Sequence, residues 1–114
     1  MSAVRSRFPE IQFDHFQSNI EGELIDALQS AESNIYRGII FNPGGYTHTS
    51  VAIADAIAAI PLPVLEVHIS NLYGREDFRQ VSLTAIHCIG VIQGLGVSVY
   101  ALAALYFKEL YKPT

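Results

Sequence analysis

The chain has 114 residues, half of them hydrophobic and 16% charged, with a formal net charge of -4 and a pI near 5.4. Such a composition describes one compact domain with a single core and excludes a disordered chain. Seven Lys and Arg against eleven Asp and Glu provide no basic stripe for nucleic acid or for an anionic membrane surface. Along the chain, MSAVRSRFPEIQ has no apolar segment of the signal-peptide kind, and SRFPE reads as the end of a helix. IQFDHFQ (11–17) alternates apolar and polar residues and predicts a strand. NIEGELIDALQSAE (19–32) places Ile20, Leu24 and Leu28 four apart, which predicts a helix with Asn19 as its N-cap. YRGIIFN (36–42) predicts a second strand, closed by Pro43, Gly44 and Gly45.

THTSVAIADAIAAI (47–60) predicts a helix with Thr or Ser at its start and Pro61 as its stop. PVLEVHIS (63–70) predicts a third strand. Cys88, the one cysteine, forms no internal disulfide, which fits a reducing, cytoplasmic setting. Its place in AIHCIG, before an apolar run, marks a buried structural thiol more than a nucleophile. GVIQG (90–94) predicts a short fourth strand. VSVYALAALYF (97–107) is too short an apolar run to span a bilayer and predicts a helix buried in the core or in a subunit contact.

Strands alternating with helices imply βαβ units, a parallel sheet and a small doubly wound α/β domain. The glycines at 90, 94 and 96 are not a dinucleotide fingerprint, because position 99 is Val, and no phosphate-binding P-loop is present. A doubly wound sheet ordinarily opens with its most hydrophobic, central strand. Here the chain passes from SRFPE directly to an alternating segment.

Ligands of open parallel sheets bind outside the carboxyl ends of the strands, and two of the expected strands end in polar chemistry. Asn42 closes one, and His48 follows near a helix start, where the dipole favours a neutral imidazole and an anionic ligand. Taken alone, FNPGGYTHTS (41–50) is better read as a turn and a helix cap. LEVHIS sets Glu66, His68 and Ser70 on one strand face, where a buried strand should be apolar. Such a pair is costly to bury unpaired. It reads either as a structural pair or as a carboxylate orienting a His that acts as general acid. Metal binding lacks a third ligand. Arg75 and Arg79, four apart in REDFR, read as a salt-bridged turn or as a fork for a carboxylate.

FQSNIEGELID (16–26), NPGGYTHTSVAIADAI (42–57), EVHISN (66–71), REDFR (75–79) and GVIQGLG (90–96) resemble, in order and spacing, the type II 3-dehydroquinate dehydratases. The resemblance runs from about Phe8 to Phe107. It implies a flavodoxin-like three-layer α/β sandwich with a parallel sheet. The implied reaction is trans elimination of water from 3-dehydroquinate to 3-dehydroshikimate through an enolate, in the shikimate pathway to aromatic amino acids, without metal or cofactor. By the same resemblance, Asn42 and His48 hold ring hydroxyls, and His68 is the general acid with Glu66 orienting it. Ile69 and Ser70 receive the substrate carboxylate, Arg79 contacts a hydroxyl, and Asp55 reaches toward a neighbouring subunit of a dodecamer built from trimers.

The family's opening strand, central in its sheet, and the lid with its Arg and its proton-abstracting Tyr have no counterpart in this sequence. Residues 1–114 therefore read as a single domain of that family, incomplete at its N-terminus and inactive alone. The alternative is a catalytically dead ligand-binding or subunit-interaction remnant of the same fold.

Overall fold

In the computed structural model, which describes residues 2–32, 35–77 and 80–113, three short apolar segments become the strands of one parallel sheet. They are β1 (Ile39–Phe41), β2 (Val64–His68) and β3 (Gly90–Gln93), arranged in the order β1-β2-β3. Ile39 pairs with Val64 and Leu65 with Gly90, so the register runs parallel across both ladders. Parallel neighbours need crossovers. Between β1 and β2 this is α3 (Val51–Ala59); between β2 and β3 it is a segment of short 3₁₀ turns. The remaining helices are α1 (Ser2–Arg7), α2 (Glu21–Glu32) and α4 (Ser98–Leu110).

The period of two in β2 sorts its side chains between two cores. Val64 packs with Phe41 against Leu28 of α2 and Ile53 and Ile57 of α3. Leu65 and Val67 pack on the opposite face against Val99 and Ala103 of α4. A third cluster seats Val4 and Phe8, at and just beyond α1, on Ala104 of α4. Helices thus cover both faces of the sheet, the three-layer arrangement of a flavodoxin-like α/β sandwich. Gly38, just before β1, is where Phe107 of α4 comes closest: a Cβ built there would lie 2.5 Å from the ring. Only a residue without a side chain admits that contact.

Local chemistry sets the helix boundaries. Glu21 and Glu23 lie in the first turn of α2, where the dipole favours them. Ahead of that turn it is Ser18, more than the expected Asn19, that supplies side-chain bonds, accepting from Ile20 N at 3.0 Å and donating to Glu23 at 2.6 Å. Ser50 caps α3, accepting from Ile53 N at 2.9 Å. The expected helix over 47–60 therefore starts later, after a 3₁₀ turn at Gly44–His48. It ends at Ala59, and Ile60 is extended ahead of Pro61.

The alternating segment 11–17 forms no strand. Alternation becomes a strand only where a neighbouring backbone completes the ladder, and no strand of the described residues pairs with it. Ile11 and Phe13 instead join the cluster around Val4 and Phe8, and Asp14 accepts a hydrogen bond from the Tyr36 hydroxyl. Phe16 remains 57% exposed. Among the described residues no helix is long and apolar enough to cross a membrane.

Candidate active site

The carboxyl ends of β1 and β2 open into a cleft of about 420 Å³. Asn42, His48, His68, Ile69, Ser70 and Arg75 line it, together with Gly44 and Gly45. His68 is the last residue of β2 and is only 5% exposed. Its Nε2 lies 2.8 Å from Oε2 of Glu66, which is fully buried one strand period earlier. Because the carboxylate accepts, Nε2 carries the proton, and Nδ1 is the nitrogen that exchanges protons with a ligand.

Glu66 has further donors. Ser82 Oγ donates to Oε2 at 2.9 Å, and Thr84 Oγ1 donates to Oε1. Burial by itself would raise the pKa of this carboxyl. The bonds from His68, Thr84 and Ser82 outweigh burial and hold it below the ordinary carboxylate value. A buried charge is tolerated here because every donor around it is aimed at it.

Across the cleft, the Asn42 side chain is fixed from both ends. Its Oδ1 accepts from Gly44 N at 3.0 Å, and its Nδ2 donates to Tyr100 Oη on α4 at 3.0 Å. One amide hydrogen then remains for a ligand oxygen. His48 Nδ1 is 2.8 Å from the Val81 carbonyl. A carbonyl only accepts, so Nδ1 carries the proton, and in the neutral ring Nε2 is the acceptor. Ser70 Oγ accepts from Arg75 Nη1 at 3.1 Å, which turns its own O–H outward as a donor. The rim is pinned from the turn that follows β3, where Gly94 N donates to His68 O at 3.1 Å and Gly96 N to Ile69 O at 3.0 Å. Gly94 has φ +85°, and a Cβ there would meet Asn71 Cβ at 3.1 Å, so a side chain is excluded on both counts.

Five of the residues singled out in the sequence, Asn42, His48, His68, Ile69 and Ser70, converge on the one cleft, with Glu66 directly behind His68. His48 sits in the 3₁₀ turn and not in α3 itself. Asp55 is exposed on α3 and is not part of the lining. Arg79 lies outside the described residues, so the expected fork is represented by Arg75 alone, which follows a 3₁₀ turn. Ser82, Thr84 and Tyr100 were not singled out in the sequence. The alternation of hydroxyls in VSLT was the one available signal for the first two. No tyrosine is among the described residues that line the cleft. Nor do three His, Cys, Asp or Glu side chains gather among the described residues where a metal ion could be held.

A fold and a cleft of this kind have known counterparts. The family profile described as dehydroquinase class II matches residues 2–108. A 3-dehydroquinate dehydratase from Fusobacterium nucleatum is 56% identical over 101 residues, which are 89% of this chain and 69% of that protein. One from Thermoanaerobacter pseudethanolicus is 59% identical over 94 residues, 82% of this chain and 63% of that protein. Among solved structures, the type II dehydroquinase from Butyrivibrio crossotus superposes with a TM-score of 0.91 at 40% identity, covering 94% of this chain and 76% of the other. The type II dehydroquinase from Propionibacterium acnes gives 0.87 at 31% identity, covering 95% and 75%. The chain thus spans between 59% and 69% of the length of the curated relatives it matches. With the matched profile running through every element from α1 to α4, the chain belongs to the class II dehydroquinase family.

Proposed function

We propose that this chain carries the substrate-binding and acid side of a 3-dehydroquinate dehydratase site. The observation that supports this most is the buried Glu66–His68 pair at the edge of a cleft that also gathers Asn42, His48 and Ser70. In this reading the backbone of Ile69 and the outward O–H of Ser70 receive the substrate carboxylate. Asn42 gives its remaining amide hydrogen to one ring hydroxyl, and Nε2 of His48 accepts from another. Arg79 adds a contact to a hydroxyl.

The reaction is a trans elimination. A base removes the C2 proton, and the electron pair is held as an enolate. His68 then gives its Nδ1 proton to the C1 hydroxyl, the C1–O bond breaks, and water leaves, giving 3-dehydroshikimate. Glu66 keeps the imidazolium charge-paired before transfer and the ring oriented after it. No cofactor takes part in this scheme.

The cleft supplies the acid and the binding groups, but its described lining offers no tyrosine as the base. The 114 residues by themselves therefore bind without turning over, which is also what a ligand-binding remnant of the fold would do. In the assembled protein, subunits pack as trimers within a dodecamer, with the exposed Asp55 directed at a neighbour. A reducing, cytoplasmic setting fits the one cysteine.

The test is the dehydration assay on the purified chain, following the conjugated enone by its ultraviolet absorbance. A parallel NMR titration with 3-dehydroshikimate follows binding. We expect no turnover, with chemical-shift changes at Asn42, His48, His68 and Ser70. Turnover abolished by His68→Ala would mean that a residue of this chain acts as the base and that the binding-only account is wrong. Absence of any shift at the cleft would remove the binding role.

A further inference from the structure

We infer that Ser82 and Thr84 are positioning residues, a two-hydroxyl clamp on Glu66 that makes the Glu66–His68 pair a readier proton donor. The inference rests on the reading of His68 as the acid, but its geometry stands independently. Glu66 and Thr84 are both fully buried, so water cannot replace either partner. The protons around the carboxylate can be assigned one by one. Ser82 Oγ accepts from Ala85 N at 3.0 Å, so its lone pair is engaged by the backbone and its own hydrogen is free for Glu66. Thr84 Oγ1 lies 3.2 Å from Ser82 Oγ, but its hydrogen is committed to Oε1 of Glu66. His68 supplies the third donor, to Oε2. Both oxygens are therefore occupied by donors that belong to other groups.

The direction of the effect follows from charge. A hydroxyl donor binds a carboxylate most strongly when the carboxylate bears its full charge without a cationic partner. That state is reached when His68 has given up its proton. The clamp therefore stabilises the deprotonated pair more than the charge-paired one, and it lowers the affinity of the pair for its proton. Since the two groups titrate as a unit, the effect belongs to the pair. Other neighbours do not account for it. Phe41 of β1 and Val91 of β3 stand beside Glu66 in the sheet, and neither titrates. The helix packed over this face presents Ile53, Ala56 and Ile57. Among the described residues, the titratable or charged groups nearby are the Cys88 thiol, His48, and Arg75 at the cleft.

The experiment is an NMR pH titration of the His68 imidazole in the ligand-free chain, comparing wild type with Thr84→Val, Thr84→Ser and Ser82→Ala. Nothing in it depends on turnover, so failure of the proposed reaction and failure of the clamp are separate results. With the folded spectrum retained, Thr84→Val should move the His68 transition to higher pH, with proton binding tightened on the order of tenfold, the worth of one hydrogen bond to a charged group. Ser82→Ala should move it the same way, and Thr84→Ser, which keeps the hydroxyl, should restore the wild-type curve. Should Thr84→Val not fold, Ser82→Ala against wild type carries the same decision. An unmoved transition in a folded hydroxyl-deleted variant overturns the inference, as does a Thr84→Ser curve displaced as far as that of Thr84→Val.

Discussion

Glu66 is a charge in the core, and its protonation state links the site to stability. Its carboxyl is held below the ordinary value of 4.5, with burial opposing and the bonds from His68, Thr84 and Ser82 prevailing. The unfolded chain therefore takes up the proton at higher pH than the folded one. The stabilisation is complete above the unfolded value and is lost as pH falls through the lowered folded value. Thermal melts from pH 7 down to pH 3 should show Glu66→Gln less stable than wild type at neutral pH, with the gap closing on the acid side. A constant gap would mean that shape alone matters. Cys88 makes the opposite case. Burial, with the neighbouring Glu66 charge, pushes its thiol up to about 12, so the thiolate that reacts is scarce at neutral pH. Disulfide-exchange reagents at pH 8 should label it many times more slowly in the folded chain than in denaturant. Equal rates would contradict its burial.

Elements show how far the sequence could be read and where reading stopped. Strands 39–41, 64–68 and 90–93 all lie inside the expected segments, because β-branched runs between turn residues are a local signal. Residues 11–17 carried the same alternation and are not a strand, because a ladder needs a second backbone that local sequence does not report. In the cleft, Asn42, His48 and His68, with Glu66 behind them, were legible since each stood where an apolar residue or a plain turn would otherwise be. Ser82 and Thr84 were not, for hydroxyls between apolar residues are commonplace, and only the tertiary fold brings them to Glu66. Ser50 was legible as a helix start, and its second bond was not: its Oγ also donates to Glu21 Oε2 at 2.6 Å, joining the start of α3 to that of α2. Ser50→Ala leaves Ile53 N without its cap and should cost about 1–2 kcal/mol. Ser50→Thr, which keeps the oxygen, should recover most of it in denaturant unfolding. A loss below about 0.5 kcal/mol for the alanine variant would show that the cap is redundant.

The whole molecule exposes more surface than a compact monomer of its mass. Its accessible area is 7070 Å², against about 6,200 Å² from the scaling of surface with mass at 12.5 kDa. The excess, on the order of 900 Å², is close to the ~800 Å² that one partner gives up in a standard interface. Much of what is exposed is apolar. Leu102, Leu105, Tyr106 and Leu110 are each about two fifths exposed or more on the outer side of α4, and Ile86, Ile89 and Val91 lead into and along the free edge of β3. Apolar faces of this extent are met in subunits more than in monomers, and of the expected reading of the 97–107 run as core or subunit contact, the core holds for the inner face of the helix. Val99, Ala103 and Ala104 face inward, fully buried. Association is therefore the behaviour expected of this surface. Sedimentation equilibrium at micromolar concentration should give a mass above 12.5 kDa, and the melting temperature should rise with protein concentration, as mass action requires when folding and assembly are linked. Leu105→Glu, at an exposed position that no buried cluster uses, should reduce the mass toward the monomer while leaving the far-ultraviolet circular dichroism unchanged. A wild-type chain that sediments as a monomer with a concentration-independent melt would assign the excess surface to solvent and not to a neighbour.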